Sequence, residues 1–598
     1  MKIKYIDGQR LSRAILAGAK RIFQRTDYLN EINFFPVPDA DTGSNISSTF
    51  QSIVHGLSRN SDKGVKNTTK VAANAALIGA HGNSGVIFAQ FFYGLYKEMD
   101  DCRILTTEKF GIAAKNSVHY VYDALSDPKD GTIISVIRDW AEGVYHKRKK
   151  ERDFVELWKH GIQVARQSLE KTRDKIESRA IEVVDAGAQG FVDFLEGIYK
   201  FISKGRIKDL DREIEKVPDF KAEVDDHAVD NIEDISYRYC TEFLIKGHDL
   251  EAKNIQHRLQ NYGDSIVVAG AGNIARIHIH TDHPENVLEN ISQSATEIAE
   301  QKVDDMKMQY IDSNTTHPRI ALVSDTACNL PRSIIDKYNI HLIPFNVILQ
   351  NTKYLDGYTI SKDQFYDRLK NNNILAKTSQ PAPAYFKKMY TSLLKHYDAV
   401  LSIHLSSPTS GAYQAAKNSA KEFDERVQVV DSKNITVGEG LMVKKAAEMI
   451  EQGLAFKEII NRLKALRNNL QLFVSVPDVD TLMQSGRVSK AKGWLAKLLK
   501  VKPLITVNKA GVPVRSGKAF TRKGLQKKLT TLVEEFLKDK RNCEFMIAHA
   551  DAPETAQFYA EFIKNNYDVD NVEIVHAAPV LASHTGLGSA GIGVYWED

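Results

Sequence analysis

Along the first two hundred residues, apolar side chains recur every three or four positions. Leu11, Ile15, Leu16, Ala19, Ile22 and Phe23 form one such stripe, and Phe154, Leu157, Trp158, Ile162, Ala165 and Leu169 another. That spacing lines one face of a helix. Alternating or β-branched runs are few, so residues 1–203 are predicted to form a helical bundle. Over 204–234 the text turns highly charged and weakly periodic, as in a linker. From 235 to 311 the period shortens. YRYCTEFLIKG, DSIVVAG and ARIHIHT read as strands, with one helical stretch near 253–262, which predicts a small α+β domain. The polar DSNTTHP is a second join. Over 318–598, strand-like runs (RIALVS, HLIPFNVIL, DAVLSIHL, VQVVD, CEFMIAHA, NVEIVHAA, GIGVYW) alternate with amphipathic helices, the pattern of an α/β sheet domain.

Composition narrows the class. A chain of 598 residues is too long for one core, and at about 100–200 residues per domain it has room for several. Hydrophobic residues at 43% and charged ones at 26% exclude a largely disordered or fibrous chain. Lys+Arg 80 against Asp+Glu 76 leaves a net +4, too little over this length to point to nucleic acid or a membrane surface. The cysteines (Cys102, Cys240, Cys328, Cys543) form no CxxC pair, which argues against a disulfide framework. The N-terminus has no apolar h-region, and no apolar run reaches the ~18 residues of a transmembrane helix. A soluble, cytoplasmic, multidomain protein is expected.

Candidate chemistry begins at residues 33–45, NFFPVPDADTGSN. Asp39 and Asp41 flank one residue, with Asn33 just upstream. Mg²⁺ is held by one or two carboxylates together with nucleotide phosphates. Gly43 permits a turn, and Ser44-Asn45 can open a helix whose free N–H groups attract phosphate. The bland alternative is an N-capping Asp in a Pro/Gly loop. Residues 79–85, GAHGNSG, lie between two helix-prone stretches and supply backbone donors without side-chain obstruction. They form neither a Walker A loop nor GxGxxG. DGT at 130–132 and DAGAQG at 185–190 likewise sit where a helix follows a loop. Four glycine-punctuated loops opening helices in one bundle exceed what connectivity requires.

In the next segment, ARIHIHT alternates strictly, so His278 and His280 share one strand face. Cys240 lies in another strand, with Glu242 on its own face. A Cys with two His is a donor set suited to Zn²⁺. A buried cysteine with two half-exposed histidines reads as well, and spacing does not exclude Asp282 or His283. Further on, SDTACNLP, TSQP, SSPTSGAYQ and SHTGLGSAG place hydroxyls, glycines and His584 on loops next to strands and helices. Uncharged hydroxyls with one His suit a carboxylate or phosphate ester, and no complete Ser-His-acid order is legible. Arg487, Lys502, Arg515, Lys518, Arg522 and Lys523 make 487–523 basic, which reads as a solvated face or a docking surface.

FPVPDADTGSN, GAHGNSGVI, DGT and VVDAGAQG together resemble the nucleotide-binding subunit of the dihydroxyacetone kinases. More closely, over about 200 residues, they resemble the kinase component of bacterial fatty acid kinase. The resemblance implies a helical barrel holding ATP and two Mg²⁺ ions. Asn33, Asp39 and Asp41 would be the metal ligands. Thr42, Ser44, Asn45, Gly82, Asn83 and Ser84 would surround the phosphates, with Asp185 and Gly187 near the nucleotide. Ala40 and His81 stand where that pattern has Gly and Arg. CTEFLI, GDSIVV and IHIHTDHPENVL are similar to the middle domain of the same component, which implies a metal, read as zinc, on Cys240, His278 and His280.

SDTACNLP, TSQP, SSPTSGAYQ, SGRVSKAKGWLAKLLKVKPL and SHTGLG resemble the DegV family of fatty-acid-binding proteins over about 280 residues. That implies two α/β lobes around an acyl chain, its carboxylate held by Thr378, Ser379, Ser406, Ser407 and His584. Leu587 replaces a Pro of the family's HTGPG loop, and Ala327-Cys328 departs from its usual DSTADLP. Together the resemblances imply a fused fatty acid kinase, a homodimer in phospholipid metabolism, whose acyl phosphate is consumed by an acyltransferase. The rival readings are a lipid-binding or transport protein with a relic kinase half, and a kinase of a small polyol or ketone.

Overall fold

In the computed structural model of the chain, the described residues are 2–33, 41–60, 64–101, 103–126, 128–173, 184–204, 235–314, 319–372, 374–477, 479–484, 501–569 and 571–597. Residues 205–234 of the expected linker, Asp39, Ala40, Cys102 and the basic stretch 485–500 with Arg487 lie outside them. The chain folds as two compact units, Met1–Asn314 and Thr315–Asp598.

Among the described residues, the first unit opens with nine helices: α1 (Gly8–Phe23), α2 (Thr26–Glu31), α3 (Thr42–Ser58), α4 (Val65–Gly79), α5 (Gly82–Glu98), α6 (Thr107–Asp123), α7 (Ile133–Lys147), α8 (Phe154–Glu170) and α9 (Ala186–Lys204). Local chemistry starts several of them. Asp7 accepts from the N–H of Arg10 to cap α1, Asp153 from Val155 to cap α8, and Asp185 from Ala188 at the start of α9. Their apolar stripes meet in an aromatic core. Phe50 lies 5.1 Å from Phe88 and 4.9 Å from Phe194, centroid to centroid, and Phe91 lies 5.8 Å from Trp140. Burying one such ring contributes about 1.5–3 kcal/mol. α1 and α9 cross closely because both are glycine there: a Cβ on Gly197 would lie 2.6 Å from the carbonyl oxygen of Ala17. The all-helical expectation needs one correction. β1 (Tyr5–Asp7) pairs antiparallel with β2 (Ile104–Thr106), a ribbon of three residues a side, too short for alternation to show.

Four antiparallel strands follow in the order β4-β5-β3-β6: β3 (Tyr239–Gly247), β4 (Asp264–Ala271), β5 (Ile274–Thr281) and β6 (Ala295–Asp305). β6 escapes the sequence pattern because it is an edge strand and mostly polar, ATEIAEQKVDD. Helix Met306–Asn314 runs through the first residues of the expected join at 312–318. The sheet is fastened to the helices. Val268 donates its N–H to the Ala124 carbonyl and Ser126 to that of Ile266, while Val267 and Ala269 belong to the helical core.

Among its described residues, the second unit holds three sheets. Parallel β7 (Ile320–Asp325), β8 (His341–Ile343), β12 (Ala399–His404) and β13 (Val427–Asp431) run in the order β13-β12-β7-β8. β9 (Asn346–Leu349), β10 (Thr352–Leu355) and β11 (Lys377–Ser379) form a small antiparallel sheet. The largest, β16-β15-β14-β19-β17-β18, comprises β14 (Leu470–Ser475), β15 (Lys502–Val507), β16 (Pro513–Ala519), β17 (Arg541–His549), β18 (Glu573–His576) and β19 (Ala590–Glu597). HLIPFNVIL reads as one strand, yet β8 and β9 serve different sheets, because Pro344 between them cannot donate to a ladder. Helix Val437–Glu451 packs Leu441, Met442 and Val443 into a core with Leu401 and Ile403 of β12 and Leu472 and Val474 of β14. The cations Arg515, Lys518, Arg522 and Lys523 are exposed.

Phe88 is fully buried at the centre of the aromatic core. Phe88→Ala is expected to cost about 3–5 kcal/mol. Amide exchange should then accelerate in α3, α5 and α9 and stay unchanged in β12.

Candidate functional site

Four helix openings and one face of the small sheet enclose a cavity of about 710 Å³ in the first unit. Asn33 lines it from just after the end of α2, Asp41, Thr42 and Asn45 from the start of α3, and Gly82, Asn83 and Ser84 from the start of α5. Asp185 and Gly187 line it from the start of α9, and Lys129 and Thr132 from the DGT turn before α7. Cys240, Glu242, His278 and His280 line it from β3 and β5. Ser44 is not in the lining: Asn30 of α2 donates to its hydroxyl and accepts from its N–H, both at 3.0 Å.

Asp41 occupies the N-cap position of α3 but makes no side-chain cap bond. Its carboxylate accepts from Asn45 Nδ2 at 2.6 Å, so the capping alternative fails at this residue. Gly82 adopts a left-handed φ of +57°, and a Cβ there would lie 2.4 Å from Asn45 Nδ2, so the α3 and α5 openings interlock. The carbonyl oxygen Oδ1 of Asn83 is buried with no hydrogen-bond partner among the described residues. A Cβ on Gly187 would lie 2.9 Å from Ser84 Oγ, bringing the α9 opening beside that of α5. Burial pushes the Asp185 carboxyl up to about 6, against the opposing N–H groups of Ala188 and Ile133.

On the sheet, the β3–β5 register sets Cys240 opposite His280 and Glu242 opposite His278. The ligand atoms of Cys240, His278 and His280 lie within 4.8 Å of one another. Nε2 of His278 is buried and has no hydrogen-bond partner among the described residues. The ring's other nitrogen, Nδ1, lies 3.9 Å from Cys240 Sγ, and a thiol grouped this closely with two imidazoles fits a zinc-type ion. Glu242 accepts from the Gly82 N–H at 2.9 Å and from Arg276 Nη2 at 3.2 Å. His81 Nδ1 lies 2.9 Å from Glu242 Oε2 and 2.8 Å from Arg276 Nη2. Burial alone would raise the Glu242 carboxyl, but Lys302 and His81 hold it well below the usual carboxylate range. The sequence signal for Glu242 was its place on the Cys240 face; its partners on α5 and β5 were not legible.

In the second unit, β11 meets the SHTG segment, whose Ser583, His584 and Thr585 end helix Pro579–Thr585 rather than lying on the expected loop. Thr378 Oγ1 and His584 Nε2 share a hydrogen bond of 2.9 Å. The TSQP and SSPTSG loops also touch, since a Cβ on Gly411 would lie 1.8 Å from Gln380 Oε1. Ser379 is exposed. Ser406 and Ser407 are turned to other partners: Ser406 Oγ donates to the Gly511 carbonyl at 2.8 Å, and Ser407 Oγ to Asp431 Oδ2 at 2.7 Å. A Ser-His-Asp row not legible in the sequence is also present. His404 Nε2 lies 2.6 Å from Ser402 Oγ, and its Nδ1 lies 3.0 Å from Asp325 Oδ2. All three residues are fully buried, and Tyr390 donates to Ser402. No substrate reaches such a serine, so the row is a core polar network.

Residues 36–200 match the model of the DAK2 domain, and residues 236–313 that of the FakA-like middle domain of fatty acid kinase. Residues 319–597 match the model described as uncharacterised protein, DegV family. A DegV domain-containing protein of Staphylococcus aureus (strain COL) is 32% identical over 271 residues, which are 45% of this chain and 96% of that protein. The chain belongs, through these residues, to the DegV family. An uncharacterized protein of Staphylococcus saprophyticus is 30% identical over 313 residues, 52% of this chain and 56% of that protein. The chain therefore spans little more than half the length of that relative. The solved structure of DegV, a fatty acid binding protein from Bacillus subtilis, is 30% identical, covers 47% of this chain and 99% of its own, and superposes with a TM-score of 0.43. Among the described residues no helix is long and apolar enough to cross a membrane.

Asp185 carries a pH prediction. A folded-state value near 6 against an ordinary 3.8 means that the folded chain holds the proton more tightly. Its contribution to stability is therefore full below about pH 4 and is lost as pH rises to about 6, by roughly 3 kcal/mol. Asp185→Asn keeps an oxygen for the cap, so urea unfolding at pH 4 and pH 7 should show a pH-dependent loss smaller by that amount.

Proposed function

We propose that the chain is a fatty acid kinase in one polypeptide, passing the γ-phosphoryl group of ATP to the carboxylate of a fatty acid held by its DegV-family unit. The observation that carries this reading is the cavity onto which the α3, α5 and α9 openings converge around a buried, non-capping Asp41. Asp41, with Asn33 and Asp39, would hold Mg²⁺, and the orphaned Asn83 oxygen fits the same role or a water beside it. Mg²⁺ supplies neutralisation of the β- and γ-phosphate charge. The N–H groups opening α3 and α5, with Thr42, Asn45, Gly82 and Ser84, would orient the phosphates, and Ser44, bonded to Asn30, would brace the α3 opening from behind. Asp185 and Gly187 would border the nucleotide from α9.

In the second unit, Thr378 and His584 would hold the acyl carboxylate, joined by Ser379, Ser406 and Ser407 once the last two exchange their present partners. A carboxylate is already ionised at neutral pH and needs no general base. One of its oxygens attacks the γ-phosphorus in line, the bond to the ADP oxygen breaks, and acyl phosphate and ADP leave. Tethering the acceptor unit to the kinase would raise its local concentration to about the millimolar range. In this reading the helices close as a barrel and two lobes of the DegV-family unit enclose the tail. The enzyme works as a cytoplasmic homodimer, with an acyltransferase consuming the product. Cys240, His278 and His280 would bind a zinc ion.

Radiolabelled ATP with oleate, plus hydroxylamine to trap an acyl hydroxamate, tests the reaction. Label transfer is expected in wild type and a loss of at least about 100-fold in Asp41→Asn, with oleate binding retained. Oleate binding without transfer would favour the relic-kinase reading, and transfer only to dihydroxyacetone or glycerol the polyol one. Elemental analysis should find about one zinc per chain in wild type and none in Cys240→Ala. Metal-free, fully folded wild type would remove the zinc.

A further inference from the structure

The Glu242 carboxylate faces two sites at once. Its Oε1 accepts the N–H of Gly82 at 2.9 Å and lies 3.6 Å from Nδ1 of His278. Gly82 packs on Asn45, and Asn45 Nδ2 donates to Asp41. The line His278–Glu242–Gly82–Asn45–Asp41 is thus continuous from the Cys/His cluster to the acidic loop, and every link is buried or nearly so. The second oxygen, Oε2, is held by Arg276, which is 1% exposed and reaches Glu300 with its other nitrogen. Glu242 has little freedom to serve one neighbour without affecting the other.

His278 is poised for this. A metal on its orphaned Nε2 would leave the proton on Nδ1, which lies 3.9 Å from Cys240 Sγ and 3.6 Å from Glu242 Oε1; with the thiolate taken by the metal, Glu242 is the neighbouring acceptor left for it. A histidine that ligates a metal donates its other N–H to such a partner, which fixes ring and carboxylate together. A fixed Glu242 in turn holds the Gly82 N–H and the turn that opens α5. The order so gained would not have to be supplied by nucleotide binding.

We propose that Glu242 is a positioning residue shared by the two sites, so that metal at Cys240, His278 and His280 and nucleotide phosphates at the α3 and α5 openings bind with positive coupling. The inference rests on the nucleotide and zinc assignments proposed above. Coupling of this kind is reciprocal: the factor by which zinc tightens nucleotide is the factor by which nucleotide tightens zinc. It acts through the phosphate loop and leaves adenosine, which has no phosphates, unaffected.

Calorimetric titration of the full chain tests it, with the protein stripped of metal, dialysed into magnesium buffer, and titrated with and without zinc held below the protein concentration. ADP should bind about tenfold tighter with zinc present, adenosine equally in both states, and zinc about tenfold tighter with ADP present. Glu242→Gln should bind both ligands with the coupling gone. ADP and zinc that each bind without influencing the other would overturn the inference and leave the assignments standing. If either fails to bind wild type, the assignment fails and the inference with it. Should Glu242→Gln not fold, the wild-type reciprocal titration decides alone.

Discussion

A carboxylate only 2% exposed must be matched by charge and by donors, or the fold cannot hold it ionised. Glu242 is matched by Arg276 from the neighbouring strand, by Lys302 through the field, and by His81 and the Gly82 N–H from a helix some 160 residues earlier. Removing one partner of such a cluster leaves an uncompensated buried charge, at a cost of about 3–5 kcal/mol. That constraint locks the small sheet against the helices, and it works with the strand-like bridge between Leu125 and Val267. The register it enforces puts Cys240, His278 and His280 on the cavity side. A one-residue slip of β5 would turn both histidines away.

Periodicity located the elements that bury one face. α1 and α8 lie where the stripes at Leu11–Phe23 and Phe154–Leu169 put them, and β3, β4 and β5 coincide with their alternating runs. What escaped was decided by pairing: β1 with β2 across a hundred residues, edge strand β6, and the division of HLIPFNVIL between two sheets. The candidate site divides the same way. Glycine-rich text marked the helix openings, because backbone that must approach a neighbour tolerates no Cβ, as Gly82 against Asn45 shows. The bonds of Ser406 to Gly511 and Ser407 to Asp431 depend on strands far along the chain, and no local pattern reveals them.

Two histidines of the second unit show why composition alone cannot assign chemistry. His404 stands in a hydrogen-bonded row with Ser402 and Asp325, yet the row is sealed, and Glu439 beside it is pushed well above the ordinary range by burial and by Asp325. Such a cluster fixes the packing of β7, β12 and helix Val437–Glu451. His584, in the last turn of helix Pro579–Thr585 and hydrogen-bonded to Thr378, is only partly buried. Access, rather than the identity of the side chains, separates the two.

Charge also limits how a nucleotide could sit in the first unit. The described residues lining its cavity include Asp41, Asp185, Glu242 and Asp264 but a single lysine, Lys129, and no arginine. His81, at the position where the kinase pattern has Arg, lies against Glu242 and Arg276. Side-chain charge alone would repel a polyphosphate. Attraction would then have to come from the N–H groups opening α3 and α5 and from cations held by Asp41 and its neighbours, which reverse the sign of the acidic wall. The same acidity would hold a fatty acid carboxylate away from this cavity until such cations were in place, so the order of events in the proposed reaction follows from the lining: metal and nucleotide first, acceptor last.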